Sequence, residues 1–148
     1  VDECLALTRT RRHLSEAQIR RVPFAGDERP AEVLADGSAI KAAILNLLDN
    51  AVKYSGDHID VSVEAGVVGD WGVVRVTDRG AGFAPHEAAR LFKRFYRVPG
   101  ALTQRIKGTG LGLFIVHHTA VQHGGRATAS SAGPGKGATF TLEIPAAH

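Results

Sequence analysis

Methionine is absent from all 148 residues, position 1 included. A natural chain starts with Met, so we expect a fragment of a longer protein, with a processed start as the plainer alternative. A single cysteine, Cys4, cannot close an internal disulfide, which fits a reducing compartment. No run of about 18 apolar residues occurs, so this stretch holds no membrane-spanning helix. No secretory signal opens it either. Neither sign of charge dominates: the net charge is +3 and the pI about 9.4. That balance permits an anionic ligand without demanding nucleic acid. The short run of Arg9, Arg11 and Arg12 lacks an aromatic platform, so nucleic acid is not an expected partner. What is present suits one globular domain: 44% hydrophobic and 22% charged residues exclude wholesale disorder. Glycine is abundant, with 17 residues placed unevenly.

Residues 1–19 are polar and rich in arginine. They read as a tail or short helix, the end of a linker from sequence upstream, with the domain proper over 20–148. Ile19 to Ala25 and Glu32 to Ala35 are short strand candidates. Asp36-Gly37-Ser38 supplies an N-cap for a helix running to Tyr54. On that helix Ile40, Ala43, Ile44, Leu47 and Ala51 share one face. His58 to Ala65 alternates as a strand does, Val73, Val74 and Val76 mark the next strand, and Gly66 to Gly72 reads as the hairpin between them. Pro85 to Arg97 is expected to be helical, with Pro85 in its first turn. Leu111 to His123 is an apolar helix closed by Gly124-Gly125. Arg126 to Ala132 and Ala138 to Ile144 are the last strands, joined by a turn at Gly133-Pro134-Gly135-Lys136-Gly137. This order lacks strict β-α-β alternation. It predicts an α+β fold: a two-layer sandwich of about five mostly antiparallel strands in a mixed sheet, packed on about three helices.

Three segments carry chemistry. Asn46, Asn50 and Lys53 fall within roughly 60° of one another on the first long helix, opposite its apolar face. Amide oxygens suit Mg²⁺ and lysine suits phosphate, although such a stripe is also common on a solvated helix face. Asp78-Arg79-Gly80-Ala81-Gly82-Phe83 stands where a strand ends. Its carboxylate can accept a hydrogen bond from an exocyclic amine, and its glycines let the backbone approach a ligand. Gly108-Thr109-Gly110-Leu111-Gly112-Leu113 opens a helix, whose free N–H groups can hold phosphate. It does not directly follow a strand, which argues against a Rossmann fingerprint. Between these glycine segments, Phe92 and Phe95 of Leu91-Phe-Lys-Arg-Phe-Tyr-Arg97 are expected to anchor in the core. Lys93, Arg94 and Arg97 add positive charge beside Arg105 and Lys107, a cluster that fits a polyphosphate. Gly135-Lys136 echoes a P-loop, but Ser130 and Gly137 break the pattern, leaving a hairpin turn. His117, His118 and His123 do not have metal-ligand spacing.

Taken in order, these segments resemble the boxes of sensor histidine kinases. Asn46-Leu-Leu-Asp-Asn50-Ala-Val-Lys53-Tyr54-Ser55 is similar to the asparagine box and Asp78-Arg-Gly80-Ala-Gly82-Phe83 to the first glycine box. The stretch Leu91 to Arg97 is similar to the phenylalanine box, and Gly108-Thr109-Gly110-Leu111-Gly112 to the second glycine box. The superfamily also holds gyrase, MutL and the heat-shock chaperone ATPases. The resemblance implies a Bergerat fold with ATP and Mg²⁺ as cofactors and a mobile lid over 98–109. It implies that Asn50 ligates Mg²⁺ with Asn46 beside it, that Lys53 approaches the phosphates, and that Tyr54 lines the nucleotide site. Asp78 would take the adenine amino group, with Gly80, Gly82 and Phe83 around the base. Arg97, Arg105, Lys107, Gly108, Thr109, Gly110, Leu111 and Gly112 would shape the phosphate end.

Hydrolysing relatives place a glutamate where this chain has Asn46, and an amide cannot act as a base. Phosphoryl transfer rather than hydrolysis is therefore expected. The acceptor is expected outside the chain, because no histidine here has the phosphoacceptor context: His13 precedes Leu14, and His86-Glu87 lies between the glycine boxes. The implied partners are the protein's own upstream dimerisation and phosphoacceptor domain and the receiver domain of a response regulator. The fragment is expected to be monomeric and the full-length protein a homodimer. The domain is expected in the cytoplasm, and the resemblance is compatible with a membrane anchor elsewhere in the full-length protein. An anti-sigma-type serine kinase, or a module that senses nucleotide without transferring phosphate, are the alternatives.

Overall fold

The longest helix starts where a side chain can replace a missing backbone partner. Asp36 adopts an extended conformation and its carboxylate accepts the N–H groups of Ser38 and Ala39. The helix then runs through Gly37–Tyr54, and Ala43, Ile44, Leu47, Leu48, Ala51 and Val52 bury one face of it. In the computed structural model, residues 1–26, 33, 35–96 and 110–146 are described. Among them the order is α1 (Asp2–Arg12), β1 (Ile19–Arg21), α2 (Gly37–Tyr54), β2 (Val61–Val68), β3 (Trp71–Asp78), a 3₁₀ helix (Pro85–Arg90), α3 (Gly112–Gln122), β4 (Arg126–Ser130) and β5 (Ala138–Pro145).

The five strands form one sheet in the order β1-β2-β3-β5-β4. β1 runs parallel to β2 and every other neighbour is antiparallel. Alternation places Val61 and Val63 of β2, Val76 of β3, and Ala138, Phe140, Leu142 and Ile144 of β5 on the face that meets the helices. Ile44, Leu47 and Leu48 of α2 and Val116 and Ala120 of α3 complete that core. The result is the expected α+β sandwich, with a mixed five-stranded sheet. Among the described residues no helix is long and apolar enough to cross a membrane.

Several boundaries depart from expectation for local reasons. β1 is shorter than Ile19 to Ala25. Val22 still donates its N–H to the Val63 carbonyl, but Pro23 has no N–H to continue the ladder. The β2–β3 turn is shorter than Gly66 to Gly72. Gly66 pairs with Val73 and Gly72 with Val67, leaving only Gly69 and Asp70 outside the strands. Of the expected strand Glu32 to Ala35, Val33 makes a single bridge to Ala146, while Glu32 lies outside the described residues. The expected helix from Pro85 to Arg97 shrinks to the 3₁₀ helix, and further on Phe95 adopts φ 64°, a conformation that no α-helix contains, with its N–H bonded to the Gly110 carbonyl.

The arginine-rich N-terminal stretch is a helix. Its buried side chains, Cys4, Leu5 and Thr8, lie one turn apart on a single stripe. Ion pairs from Glu3 to Lys41 (3.0 Å) and from Arg12 to Asp49 (3.2 Å) flank that contact with α2.

Candidate functional site

The site is assembled where the C-terminal ends of β3 and α2 meet. Tyr54 closes α2, and its carbonyl would lack an intrahelical partner. Ala81, just past β3, supplies the N–H at 2.8 Å. The contact requires glycine at position 80. A Cβ there would overlap the Tyr54 carbonyl and stand 2.7 Å from Ser55 Cα. The glycine segment is therefore pressed onto the end of the helix that carries Asn46, Asn50 and Lys53.

Asp78 is the last residue of β3 and is only 3% exposed. Its Oδ1 accepts the Gly80 N–H at 2.8 Å, an Asx turn that starts the loop. Its Oδ2 is buried and has no partner among the described residues. Burial pushes this carboxyl up to about 6, against the opposing pull of the Gly80 and Ala138 N–H groups. An unsatisfied carboxylate oxygen in a fixed position is an acceptor waiting for an N–H donor, and an exocyclic amine on a planar base meets that requirement.

The α2 stripe supplies the other half. The Asn46 side-chain N–H bonds the Ala42 carbonyl at 3.0 Å, turning its Oδ1 toward α3. A Cβ at Gly112 would stand 3.2 Å from that oxygen, so the start of α3 and Asn46 are immediate neighbours. Asn50 is half-buried and Lys53 exposed, and among the described residues neither side chain has a hydrogen-bonding or ionic partner. A free amide oxygen beside a free ammonium can hold a hard cation and a phosphate respectively.

Gly110, with φ 72°, is packed against the Phe95 backbone, a conformation and a closeness that only glycine allows. The phenylalanine segment is thereby tied to the start of α3, and Leu111 is its N-cap residue. Among the other expected site residues, Phe83 differs. Its ring is 3% exposed and packs on Phe140 with centroids 6.3 Å apart, so only its backbone borders the loop. Phe92 is buried as expected, whereas Phe95 is 65% exposed. Arg97, Arg105, Lys107, Gly108 and Thr109 lie outside the described residues.

One structural partner escaped the sequence reading. The Gly133–Gly137 turn is a hairpin, but it also clamps the first glycine segment. Gly135 donates to the Ala81 carbonyl (2.6 Å) and Gly137 to the Gly80 carbonyl (3.1 Å). Ser131 Oγ accepts the Phe83 N–H at 3.1 Å and donates to the Gly137 carbonyl at 2.6 Å. A Cβ on Gly82 would strike the Gly133 and Gly137 carbonyls. Three glycines in five residues were the available signal. The P-loop comparison drew attention to Lys136, whereas the backbone makes the contacts. Among the described residues no group of three or more His, Cys, Asp or Glu could hold a metal.

Comparison with known proteins bears on this geometry. A family model described as histidine kinase-, DNA gyrase B-, and HSP90-like ATPase matches residues 35–148. A sensor-like histidine kinase, SenX3 of Mycolicibacterium smegmatis, is 45% identical over 113 residues, 76% of this chain and 29% of its own length. The phosphate regulon sensor protein PhoR of Pseudomonas aeruginosa is 37% identical over 150 residues, covering 100% of this chain and 33% of its own length. The chain thus spans a third or less of these relatives. Among solved structures, the mycobacterial sensor histidine kinase MprB superposes with a TM-score of 0.79 at 30% identity, covering 98% of this chain and 91% of that one.

Proposed function

The chain belongs to the histidine kinase-, DNA gyrase B- and HSP90-like ATPases, and on that footing we propose that it is the catalytic, ATP-binding domain of a two-component sensor histidine kinase. The observation that carries the reading is Asp78: a carboxylate 3% exposed, with one oxygen held by Gly80 and the other unsatisfied. In this reading Oδ2 accepts the adenine amino group, and Tyr54, Gly80 and Gly82 border the base. Lys53 balances phosphate charge, and the N–H groups from Gly110 to Gly112 at the start of α3 face the phosphates. Arg97, Arg105, Lys107, Gly108 and Thr109 complete the phosphate end. Asn50 holds Mg²⁺ through its amide oxygen, with Asn46 beside it. Bound there, the metal would neutralise charge on the transferring phosphoryl group.

Asn46 gives the site its reaction preference. An amide cannot take a proton from water, so the site positions ATP without activating a hydrolytic nucleophile. The phosphoryl group then passes to a histidine on a dimerisation domain upstream, and from there to a response-regulator receiver domain. Residues 1–19 lead in from that upstream domain, and the full-length protein is a homodimer whose kinase domain works in the cytoplasm.

The test joins this chain to its upstream helical domain and supplies ATP labelled on the γ-phosphate with Mg²⁺. Acid-labile, base-stable label on the upstream domain is expected. Label that survives acid, or no label when nucleotide binds normally, overturns the transfer reading. Calorimetric titration of the Asp78→Asn variant tests the adenine contact separately: a folded variant that binds ATP as tightly as the parent refutes it.

A further inference from the structure

Behind α3 lies an open cavity of about 670 Å³, and Lys93 and Arg94, which the sequence suggested for a polyphosphate cluster, line it. Its walls are the end of the 3₁₀ helix, α3 and edge strand β4. The space exists because alanine occupies both sides: Ala88 and Ala89 on one, Ala127 and Ala129 on the other. Between them stand the aromatic side chains of Phe92 and Phe114. The Phe92 ring lies 5.9 Å from the His117 ring, and the Arg94 guanidinium stands 4.6 Å above Phe114.

The charge at this cavity has one sign. Lys93 and Arg94 line it, none of the lining residues is acidic, and among the described residues neither cation reaches a carboxylate. A guanidinium stacked on a ring spends its face on the ring and keeps its in-plane N–H donors for a planar anion. The volume falls in the range of small-ligand sites, which pair a largely apolar lining with a few placed polar groups.

We propose that this cavity is a second ligand site, distinct from the nucleotide site, and that it binds a small aromatic acid. The ring of the ligand lies against Phe92 and Phe114, and its carboxylate meets Lys93 and Arg94. A ligand held there touches both the phenylalanine segment and α3, the helix whose first residue, Gly112, faces Asn46.

A ¹H–¹⁵N NMR titration of the chain with 2-naphthoate, in saturating Mg-ADP, tests this. Saturable shifts are expected at the amides of Ala88, Ala89, Phe114 and Ala127 to Ala129. The neutral isostere 2-naphthalenemethanol should bind about tenfold more weakly, as should naphthoate to the Lys93→Ala, Arg94→Ala double variant, through loss of charge-assisted contacts. Ala89 is exposed at the wall, so Ala89→Trp should fold and block the cavity. Absence of saturable shifts at these amides in saturating Mg-ADP, equal affinity for the alcohol, or unchanged binding to folded Ala89→Trp overturns the proposal.

Discussion

Gly80 and Tyr54 meet backbone to backbone, so closely that no side chain fits at position 80. The pair joins the end of β3 to the end of α2. It thereby fixes the distance between the buried Asp78 carboxylate and the amide and lysine stripe on the helix. Gly80→Ala must push these elements apart. Overpacking at a site walled by backbone should lower stability by about 3 kcal/mol. Urea denaturation measures the loss, and nucleotide affinity should fall with it. A variant as stable as the parent would show that the helix end yields.

The raised pKa of Asp78, about 6 in the folded chain, makes a signed prediction. A carboxyl that ionises later when folded than when unfolded favours the folded state most at low pH. That contribution fades as pH rises from the ordinary aspartate range through about 6. At pH 7.5 the buried charge then opposes folding. Asp78→Asn should raise the stability of the nucleotide-free chain, by at most about 3 kcal/mol, while weakening ATP binding. Thermal melts from pH 4.5 to 8 should show the gap between variant and parent widening with pH.

Nucleotide binding should carry the opposite trend at the same group. The acceptor oxygen is available when Asp78 is ionised, so affinity should fall as pH drops through about 6. The γ- and β-phosphates titrate nearby, and the Asp78→Asn variant serves as the control that keeps only their contribution. Parallel pH profiles for the two proteins would remove Asp78 from the binding step.

Ser131 Oγ connects Phe83 to Gly137 by two hydrogen bonds. Ser131→Ala leaves a buried N–H and a carbonyl without that partner, which should cost about 1–2 kcal/mol. Hydrogen exchange at the Phe83 and Gly133 amides, which both donate to Ser131 Oγ, should accelerate beyond the change in global stability. Uniform acceleration would mean that the clamp has no local role.

Leu5 is 2% exposed within the core shared with α2. Leu5→Ala should destabilise the domain by about 2–4 kcal/mol. A loss below about 0.5 kcal/mol, the usual size of a surface change, would show that α1 is only loosely attached.

The elements differ in how far local sequence foretold them. The Asp36 cap, the apolar face of α2 and the alternation in β2, β3 and β5 are written at spacings of two to four residues, so they could be read directly. The placing of Asp78 at a strand end came from the same signal. The packing of α1 could not be read that way. Its buried stripe is one turn of Cys4, Leu5 and Thr8 amid arginines, and only the face of α2 makes burying it favourable. The break in the helix expected over Pro85 to Arg97 was hidden too, because the tie between Phe95 and Gly110 joins residues far apart in sequence.

By itself the sequence determined the chemical inventory: which helix bears the amides and lysine, which strand ends in a carboxylate, and which turns contain glycine. Only the tertiary structure decided that one Asp78 oxygen is satisfied and the other is not, and that the Gly133–Gly137 turn holds the loop in place. The satisfied oxygen is held locally, by Gly80 two residues on, but the burial that leaves the other without a partner and the clamp joining Gly80, Ala81 and Phe83 to Gly137, Gly135 and Ser131 depend on residues distant in sequence, and burial and hydrogen-bond satisfaction at such distances are properties of the packed fold, not of any local window.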